Sequence, residues 1–419
     1  MADAGGSEAH TTQGARGPLI AVLVAAALIF ALTMGTRQTM GLFLSPLNTA
    51  TQLGLAQLSL AFAFGQLWWG LTQPVAGALA DRLGAGRVLL AGVLLVALGT
   101  AITPFMTTLP GLILAVGVLA AGGAGMAGPA VLMAATSRRL PASWRGLATG
   151  IVNAGGSFGQ FAMSPIATGL ILGLGWVSAM QVMGLLVLLA LPAVWLLREG
   201  TSTGTGPTTA GGAHAALPVG EALARALRTP SYLMLAAGFF VCGFHVAFLA
   251  THLPGVIEAC GLPLVFGGWA LGILGLFNIV GSLTMGWAVG RWRMKSLLSL
   301  VYAARAVAVL VFLFAPKTGT VVLIFAAVLG LTYLSTVPPT AGLVASFFGT
   351  GNMAMLFGGV MLTHQLGGFL GAWLGGKVFE ATGAYDWIWY ADIVLAIGAA
   401  LIHLPIREAP KLRVAARAA

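Results

Sequence analysis

The sequence predicts an all-α membrane protein with twelve transmembrane helices arranged as two pseudo-symmetric six-helix bundles. Three observations carry this prediction: the composition, a series of long apolar segments, and a polar break that divides them into two groups of six. Of the 419 residues, 58% are hydrophobic and only 7% are charged, whereas about a quarter of the residues are charged in a soluble domain. The 60 glycines fit the same class, because small residues let transmembrane helices approach closely.

Each apolar segment is long enough to cross a hydrocarbon core of about 30 Å, which takes about 20 helical residues. The polar residues before the first segment carry no signal peptide, so span 1 is expected to act as an uncleaved insertion signal. An even number of spans places both termini on one side of the membrane. Spans 1 to 12 are predicted at 18–46, 57–80, 87–108, 110–136, 146–173, 177–197, 231–256, 266–290, 296–315, 319–346, 353–378 and 386–406.

The basic residues predict which side that is. Only Lys317 and Lys377 fall on the side away from the termini, and Arg37 and Arg305 fall inside the membrane. All other lysines and arginines lie on the side of the termini, and positive residues favour the cytoplasmic side. We therefore predict a multi-pass protein of the inner (plasma) membrane with cytoplasmic termini. The net charge of +10 reflects this topology, and nucleic acid is not an expected partner.

The polar break is rich in Gly, Thr and Ser, which is typical of a flexible linker. The halves on either side of it are alike at an offset of about 208 residues: Gly35, Arg37 and Pro46 fall opposite Gly243, His245 and Pro254. Two repeats with a substrate site between them are typical of secondary transporters. The predicted organisation is an N-terminal tail (1–17), a first bundle (18–198), a linker (199–230), a second bundle (231–406) and a C-terminal tail (407–419).

A short segment after span 2 resembles a known family. Its sequence GALADRLGAGR, from Gly77 to Arg87, resembles the loop 2–3 signature of the major facilitator superfamily. The stretches RQTMGLFLSPL in span 1 and GFHVAFLATHLP in span 7 resemble the branch of bacterial monocarboxylate transporters and oxalate–formate antiporters. The resemblance implies a central cavity lined by spans 1, 2, 4, 5, 7, 8, 10 and 11, with the other four spans outside. It also implies that Asp81, Arg82 and Arg87 belong to a gating charge network.

Arg37 is the leading candidate for substrate binding. An arginine at membrane depth costs about 3 kcal/mol on insertion scales, and its guanidinium binds carboxylates in a bidentate manner. A structural role, bonding carbonyls or reaching outward, is the alternative; for Arg305, on an outer span, the structural role is favoured. Polar side chains on the cavity-lining spans complete the predicted site, and they are Gln66, Asn153, Gln160, His245, Asn278, Ser282, Tyr333, His364 and Gln365.

The acidic residues point to an anionic substrate. Asp392 is the acid placed inside a span, and that span is an outer one, so no buried acid is evident in the cavity. The cavity should carry positive potential, and any coupled proton must use histidine or the substrate's own charge. Monocarboxylate transporters usually place an aspartate and an arginine four apart in span 8, where this chain has Asn278 and Ser282. The usual carboxylate anchor is missing, and Arg37 is expected to replace it.

These observations predict a transporter of a small organic anion, with proton symport as the expected coupling. Two other transport modes stay open at this stage: efflux of amphipathic drug-like compounds, and anion antiport. A membrane sensor is a third alternative, although the short loops offer little signalling surface. The two cysteines form no metal-ligand cluster, and no nucleophile–base pair or phosphate-binding loop stands out, so an enzyme, a cofactor and a metal are not expected. A monomer is expected.

Overall fold

The computed structural model describes residues 16–137, 139–140, 144–198, 218–349 and 352–408. The predicted C-terminal tail beyond residue 408, residues 199–217 of the predicted linker, and residues 1–15 lie outside this part of the chain. The division into tails, bundles and linker therefore stays a prediction. In the described part, every regular element is helical, which confirms the predicted fold class.

Helices occupy all twelve predicted spans. Span 1 is Arg16–Gln38, Met40–Phe43 and Leu44–Thr51, and a short helix, Val219–Leu227, precedes span 7. Span 4 comprises Leu109–Leu112, Ile113–Ala121, Gly122–Met126 and Pro129–Ser137, and span 6 comprises Trp176–Val187, Leu188–Ala190 and Leu191–Leu196. The others are Leu55–Leu83 (2), Ala85–Ile102 (3), Arg145–Leu174 (5), Pro230–Ala259 (7), Leu264–Val289 (8), Met294–Phe314 (9), Gly319–Thr332 with Val337–Phe348 (10), Met353–Thr382 (11) and Asp386–His403 (12).

Ten of these spans are long and apolar enough to cross a membrane by composition alone. The other two, spans 2 and 11, are helices of 29 and 30 residues, about 44 Å long at 1.5 Å per residue. They are less apolar because they carry the polar groups Gln66, His364 and Gln365, and they pack against each other. The structure is consistent with twelve spans, and the two least apolar ones meet inside the protein.

Two connections between spans consist of a single glycine outside the helices. Gly84 joins spans 2 and 3 with φ +88°, and Gly175 joins spans 5 and 6 with φ +78°. A residue with a Cβ is disfavoured at such angles. The signature segment around Asp81 thus owes its tight turn to Gly84.

Span 10 is interrupted where the sequence prediction has one continuous helix. Its first helix ends at Thr332, and its second begins at Val337. Pro338 and Pro339 explain the break, because proline lacks the backbone N–H that the helix needs and fits only its first turn. Span 1 is also irregular just after Arg37, where a tighter turn, Met40–Phe43, replaces the α-helix.

The packing repeats between the halves. Span 1 packs along span 5 in the first half, and span 7 packs along span 11 in the second. Both contacts rest on glycines without room for a side chain: a Cβ on Gly159 would overlap the carbonyl of Ala31, and one on Gly367 would overlap that of Phe240. Across the halves, span 2 packs against span 11 and span 5 against span 8. The two-bundle symmetry expected from the sequence is present.

The closeness of the facing spans differs between the two sides of the protein, and the side where the described chain begins and ends is here called the terminal side. Near this end of the four facing spans, a Cβ added to Gly77, Gly150, Gly286 or Gly358 would meet nothing within 4 Å. Farther from this side, a Cβ on Gly376 would overlap Ser59, and one on Gly275 would lie 2.8 Å from the Ser157 carbonyl oxygen. The facing spans therefore approach each other closely on the side opposite the terminal side, here called the closed side.

A glutamate contributes to this closure. One oxygen of the exposed Glu380, at the end of span 11, accepts a 2.7 Å hydrogen bond from the Ala56 N–H at the start of span 2. Helix N-termini attract negative charge. On the same side, the Glu258 carboxylate of span 7 bonds to Ser45 of span 1. Both carboxylates join one half to the other.

We expect Glu380→Gln to shift the population about two- to fivefold toward a state open on the opposite side, because it removes the charge from this helix terminus. Pulsed electron paramagnetic resonance between spin labels on the opposite-side ends of spans 2 and 11 measures the shift. Glu408→Gln is the matched control: Glu408 accepts from Met294 N and Lys295 N at the start of span 9, within one half. An equal shift in both variants would contradict a gating role for Glu380.

Candidate functional site

Arg37 joins a chain of polar side chains that crosses from one half to the other. Its Nη2 donates to Oε1 of Gln66 on span 2, and Nε2 of Gln66 donates to Oε1 of Gln365 on span 11 at 3.2 Å. The guanidinium also lies 4.8 Å from the ring centroid of Trp69, in cation–π geometry. Arg37 is half-buried and Gln365 is 2% exposed. Three predicted site residues from spans 1, 2 and 11 thus meet at one place.

The irregular end of span 1 leaves a small cavity beside this chain. Its volume is about 50 Å³, which suffices for a few water molecules. Arg37 and Gln66 line one side, and Ala250 and Thr251 of span 7 line the other. The cavity is too small for a substrate, and its lining includes Thr251 as well as the guanidinium.

Asn278 and Ser282 form a second polar group, on span 8. Nδ2 of Asn278 donates to the Ser157 hydroxyl of span 5 at 2.8 Å, and its Oδ1 accepts from the Leu334 N–H of span 10 at 3.0 Å. Ser282 Oγ lies 3.4 Å from the same oxygen. Both ends of the Asn278 amide are therefore hydrogen-bonded. They join span 8 to the interrupted part of span 10 and, across the halves, to span 5.

Arg305 holds the other side of the interruption in span 10. Its Nη2 donates to the carbonyls of Thr332 and Tyr333, the latter at 2.6 Å. These carbonyls lack helical partners because the helix ends there. Arg305 is 1% exposed and faces carbonyl oxygens within the second half. Arg305 therefore lies where a structural role requires it, with its guanidinium bonded to backbone carbonyls.

Tyr333 connects this interruption to Arg37. It is 1% exposed, and its hydroxyl donates to the Val246 carbonyl of span 7 at 3.0 Å. Tyr333 also interacts electrostatically with Arg37 from across the two halves. His364 of span 11 bonds instead to the Cys242 thiol of span 7. Of these two predicted site residues, Tyr333 is the one that interacts electrostatically with Arg37.

His245 does not face the Arg37 chain, and the expectation that no acid is buried was wrong. Nδ1 of His245 lies 2.7 Å from Oδ1 and 2.6 Å from Oδ2 of Asp392 on span 12. His245 is 1% exposed and Asp392 is fully buried. Asp392 thus lies on the face of span 12 that packs against span 7. His245 therefore points away from the site proposed between the halves.

Other predicted residues lie away from the chain. Asn153 is exposed and donates to the Thr149 carbonyl of its own helix, on the terminal side. Gln160 is fully buried, and neither polar atom of its amide has a hydrogen-bond partner in the described part of the protein. The predicted gating residues Asp81, Arg82 and Arg87 are exposed on the terminal side. Their gating role stays a prediction.

The arrangement of helices can now be compared with known proteins. The sequence profile of the Major Facilitator Superfamily matches residues 26–372 and 268–419. The chain belongs to the Major Facilitator Superfamily. It is a multi-pass membrane transporter and not an enzyme.

Superfamily members of similar sequence include two that cover nearly the whole chain. Monocarboxylate transporter 13 of Rattus norvegicus is 26% identical over 389 residues, which cover 92% of this chain and 88% of that protein. The uncharacterized MFS-type transporter YcxA of Bacillus subtilis is 24% identical and covers 90% of this chain and 92% of its own. At this identity the relatives support the superfamily and leave the substrate open.

Solved structures of the superfamily share the fold. A bacterial homologue of the human lysosomal transporter Spinster, in an inward-facing conformation, superposes with a TM-score of 0.72 at 16% identity, over 92% of this chain and 96% of its own. The xylose transporter XylE of E. coli, in an inward open conformation, gives 0.74 at 14% identity, over 94% and 98%. These likenesses concern the fold alone.

Proposed function

We propose that this transporter carries a small organic anion of the monocarboxylate type across the plasma membrane by alternating access, with proton symport. The positive charge of the terminal-side loops supports cytoplasmic termini. With that orientation, the closed side described above faces away from the cytoplasm. The protein works as a monomer in this proposal, because each half supplies part of the polar chain around Arg37.

The environment of Arg37 is the observation that carries the proposal. In the described residues its guanidinium has no carboxylate partner; it contacts the neutral side chains of Gln66, Trp69 and Met34. The other intramembrane arginine, Arg305, already binds two carbonyls. A guanidinium at this depth gains most from an anion that offers it two oxygens. Gln66 and Gln365 continue the hydrogen-bonded chain from Arg37 and would contact the rest of such a substrate in this proposal.

The names of two relatives support the monocarboxylate class. Monocarboxylate transporter 13 aligns with 92% of this chain, and monocarboxylate transporter 11 of Mus musculus, 27% identical over 376 residues, aligns with 87%. Span 8 carries Asn278 and Ser282, which are neutral. The proposal therefore assigns the carboxylate to Arg37 in the first half.

Transport by the purified protein in liposomes tests the proposal directly. Radiolabelled L-lactate, acetate and pyruvate would be compared with an organic cation and a neutral amphipathic drug, each with and without a pH gradient. Uptake of anions alone, raised by acid on the side of entry, is the expected result. Transport of the drug and no anion would overturn the proposal in favour of efflux, and exchange without response to pH would indicate antiport.

A further inference from the structure

The pair formed by His245 and Asp392 lies in the second half with both side chains inside the protein. Burying an ionisable pair in a membrane protein is costly, and such pairs are often functional. Nδ1 of His245 faces the carboxylate, which leaves Nε2, a buried nitrogen without a partner in the described residues. This nitrogen is the free position for a second proton.

Charged and titratable groups lie around Arg305 of span 9, which is the charged neighbour of the pair. Arg305 stays positive at any working pH and interacts electrostatically with Asp392. Histidine is the residue type that titrates near neutral pH. Arg305 contacts Cys242 on span 7, Tyr302 on its own span and the Thr332 and Tyr333 carbonyls of span 10, and Cys242 bonds to His364 on span 11.

We propose that His245 and Asp392 form the proton-binding site of this transporter, an inference that rests on the proposed symport. In the empty form, neutral His245 donates its Nδ1 proton to the Asp392 carboxylate, and Nε2 keeps its lone pair. In the loaded form, one proton from water is bound to Nε2, and an imidazolium faces the carboxylate. No other bond changes, and the charge of the cluster formed by His245, Asp392 and Arg305 rises by one.

The added charge reaches the anion site through span 10. An imidazolium attracts the Asp392 carboxylate more strongly than a neutral imidazole does. The carboxylate then attracts Arg305 less, and Arg305 interacts mainly with the carbonyls of Thr332 and Tyr333. Tyr333 in turn interacts electrostatically with Arg37. The extra positive charge in the second half attracts an anion bound at Arg37, so anion and proton stabilise each other. Linkage requires that each raises the affinity of the other by the same factor.

Solid-state NMR of wild-type protein labelled with ¹⁵N-histidine, in lipid bilayers, tests proton binding without any substrate. The His245 resonances are assigned by their loss in His245→Gln. We expect them to change from neutral to imidazolium form between about pH 8 and 5, and Asp392→Asn should keep His245 neutral over the same range. A His245 that holds one protonation state throughout this range in the wild type would overturn the proposal.

A second measurement separates the proton site from the anion site. In liposomes containing a pH-sensitive dye, L-lactate addition should drive proton entry in wild type and in His403→Gln, a control histidine bonded to its own helix at Ala399. Asp392→Asn and His245→Gln should lower proton entry at least tenfold. Wild-type proton entry in both variants would overturn the proton site. Failure of lactate to move protons in any protein would count against the proposed function, while the NMR titration still decides the site.

Discussion

Arg37→Ala will abolish transport of the organic anion and leave the protein folded. A charge-assisted hydrogen bond contributes about 1.5–3 kcal/mol, so anion binding should weaken about 10- to 100-fold. Folding should survive because the guanidinium is half-buried and its hydrogen-bond acceptors are single side-chain atoms of Gln66 and Met34. An unpaired buried charge is costly, so removing Arg37 should leave the thermal stability of the ligand-free protein unchanged or raised.

Thermal unfolding with and without an anion measures both effects on the same sample. Ligand at about a hundred times its dissociation constant stabilises a protein by about 2.7 kcal/mol, and at the same ligand concentration this stabilisation should fall to about 0.4–1.4 kcal/mol in Arg37→Ala. Arg291→Ala is the matched control, because Arg291 is exposed and stacks on Trp287 at 3.9 Å on the terminal side. Equal anion stabilisation in wild type and Arg37→Ala would make Arg37 structural and remove the basis for an anion site.

The fold was predictable because it follows from composition and spacing along the chain. An apolar stretch of bilayer length must form a helix to satisfy its backbone, so the predicted span at 296–315 matches the helix Met294–Phe314 closely. Pro338 and Pro339 indicate the interruption of span 10. Hydropathy alone does not detect it, because it counts prolines in an apolar run as part of the span. The ends of the helices follow from the local sequence. The break in span 10 is predicted only when the missing backbone N–H groups of Pro338 and Pro339 are considered.

The site was predictable only in part, because its contacts join distant parts of the chain. Polar residues on spans 1, 2 and 11 were expected to meet, and Arg37, Gln66 and Gln365 do so. The pairing of His245 with Asp392 joins residues 147 positions apart, and it depends on how span 12 rotates against span 7. A charged residue in an outer span was the available signal, since such a residue needs a partner inside the protein.

The prediction with the largest structural effect concerns Gly41, where spans 1 and 7 meet on the closed side. A Cβ added here would overlap the carbonyl oxygen of Ala250 and lie 2.8 Å from that of Thr251. Backbone cannot move aside as a side chain can, so Gly41→Val should prevent the close approach of the two halves. Overpacking costs about 1–3 kcal/mol, which would shift the population about 5- to 150-fold toward a state open on the opposite side.

Transport requires both states, so a transporter held in one of them should lose most of its turnover while it still binds anion from the open side. Spin-label distances across the opposite-side ends of spans 1 and 7 would lengthen in Gly41→Val. Gly398→Val, in span 12, is the matched control, because Gly398 is exposed and its Cβ would meet nothing within 4 Å. Since Gly41 lies one helical turn beyond Arg37, the same short segment would serve both anion binding and closure. Wild-type turnover and unchanged distances in Gly41→Val would break that link and place the gate elsewhere on the closed side.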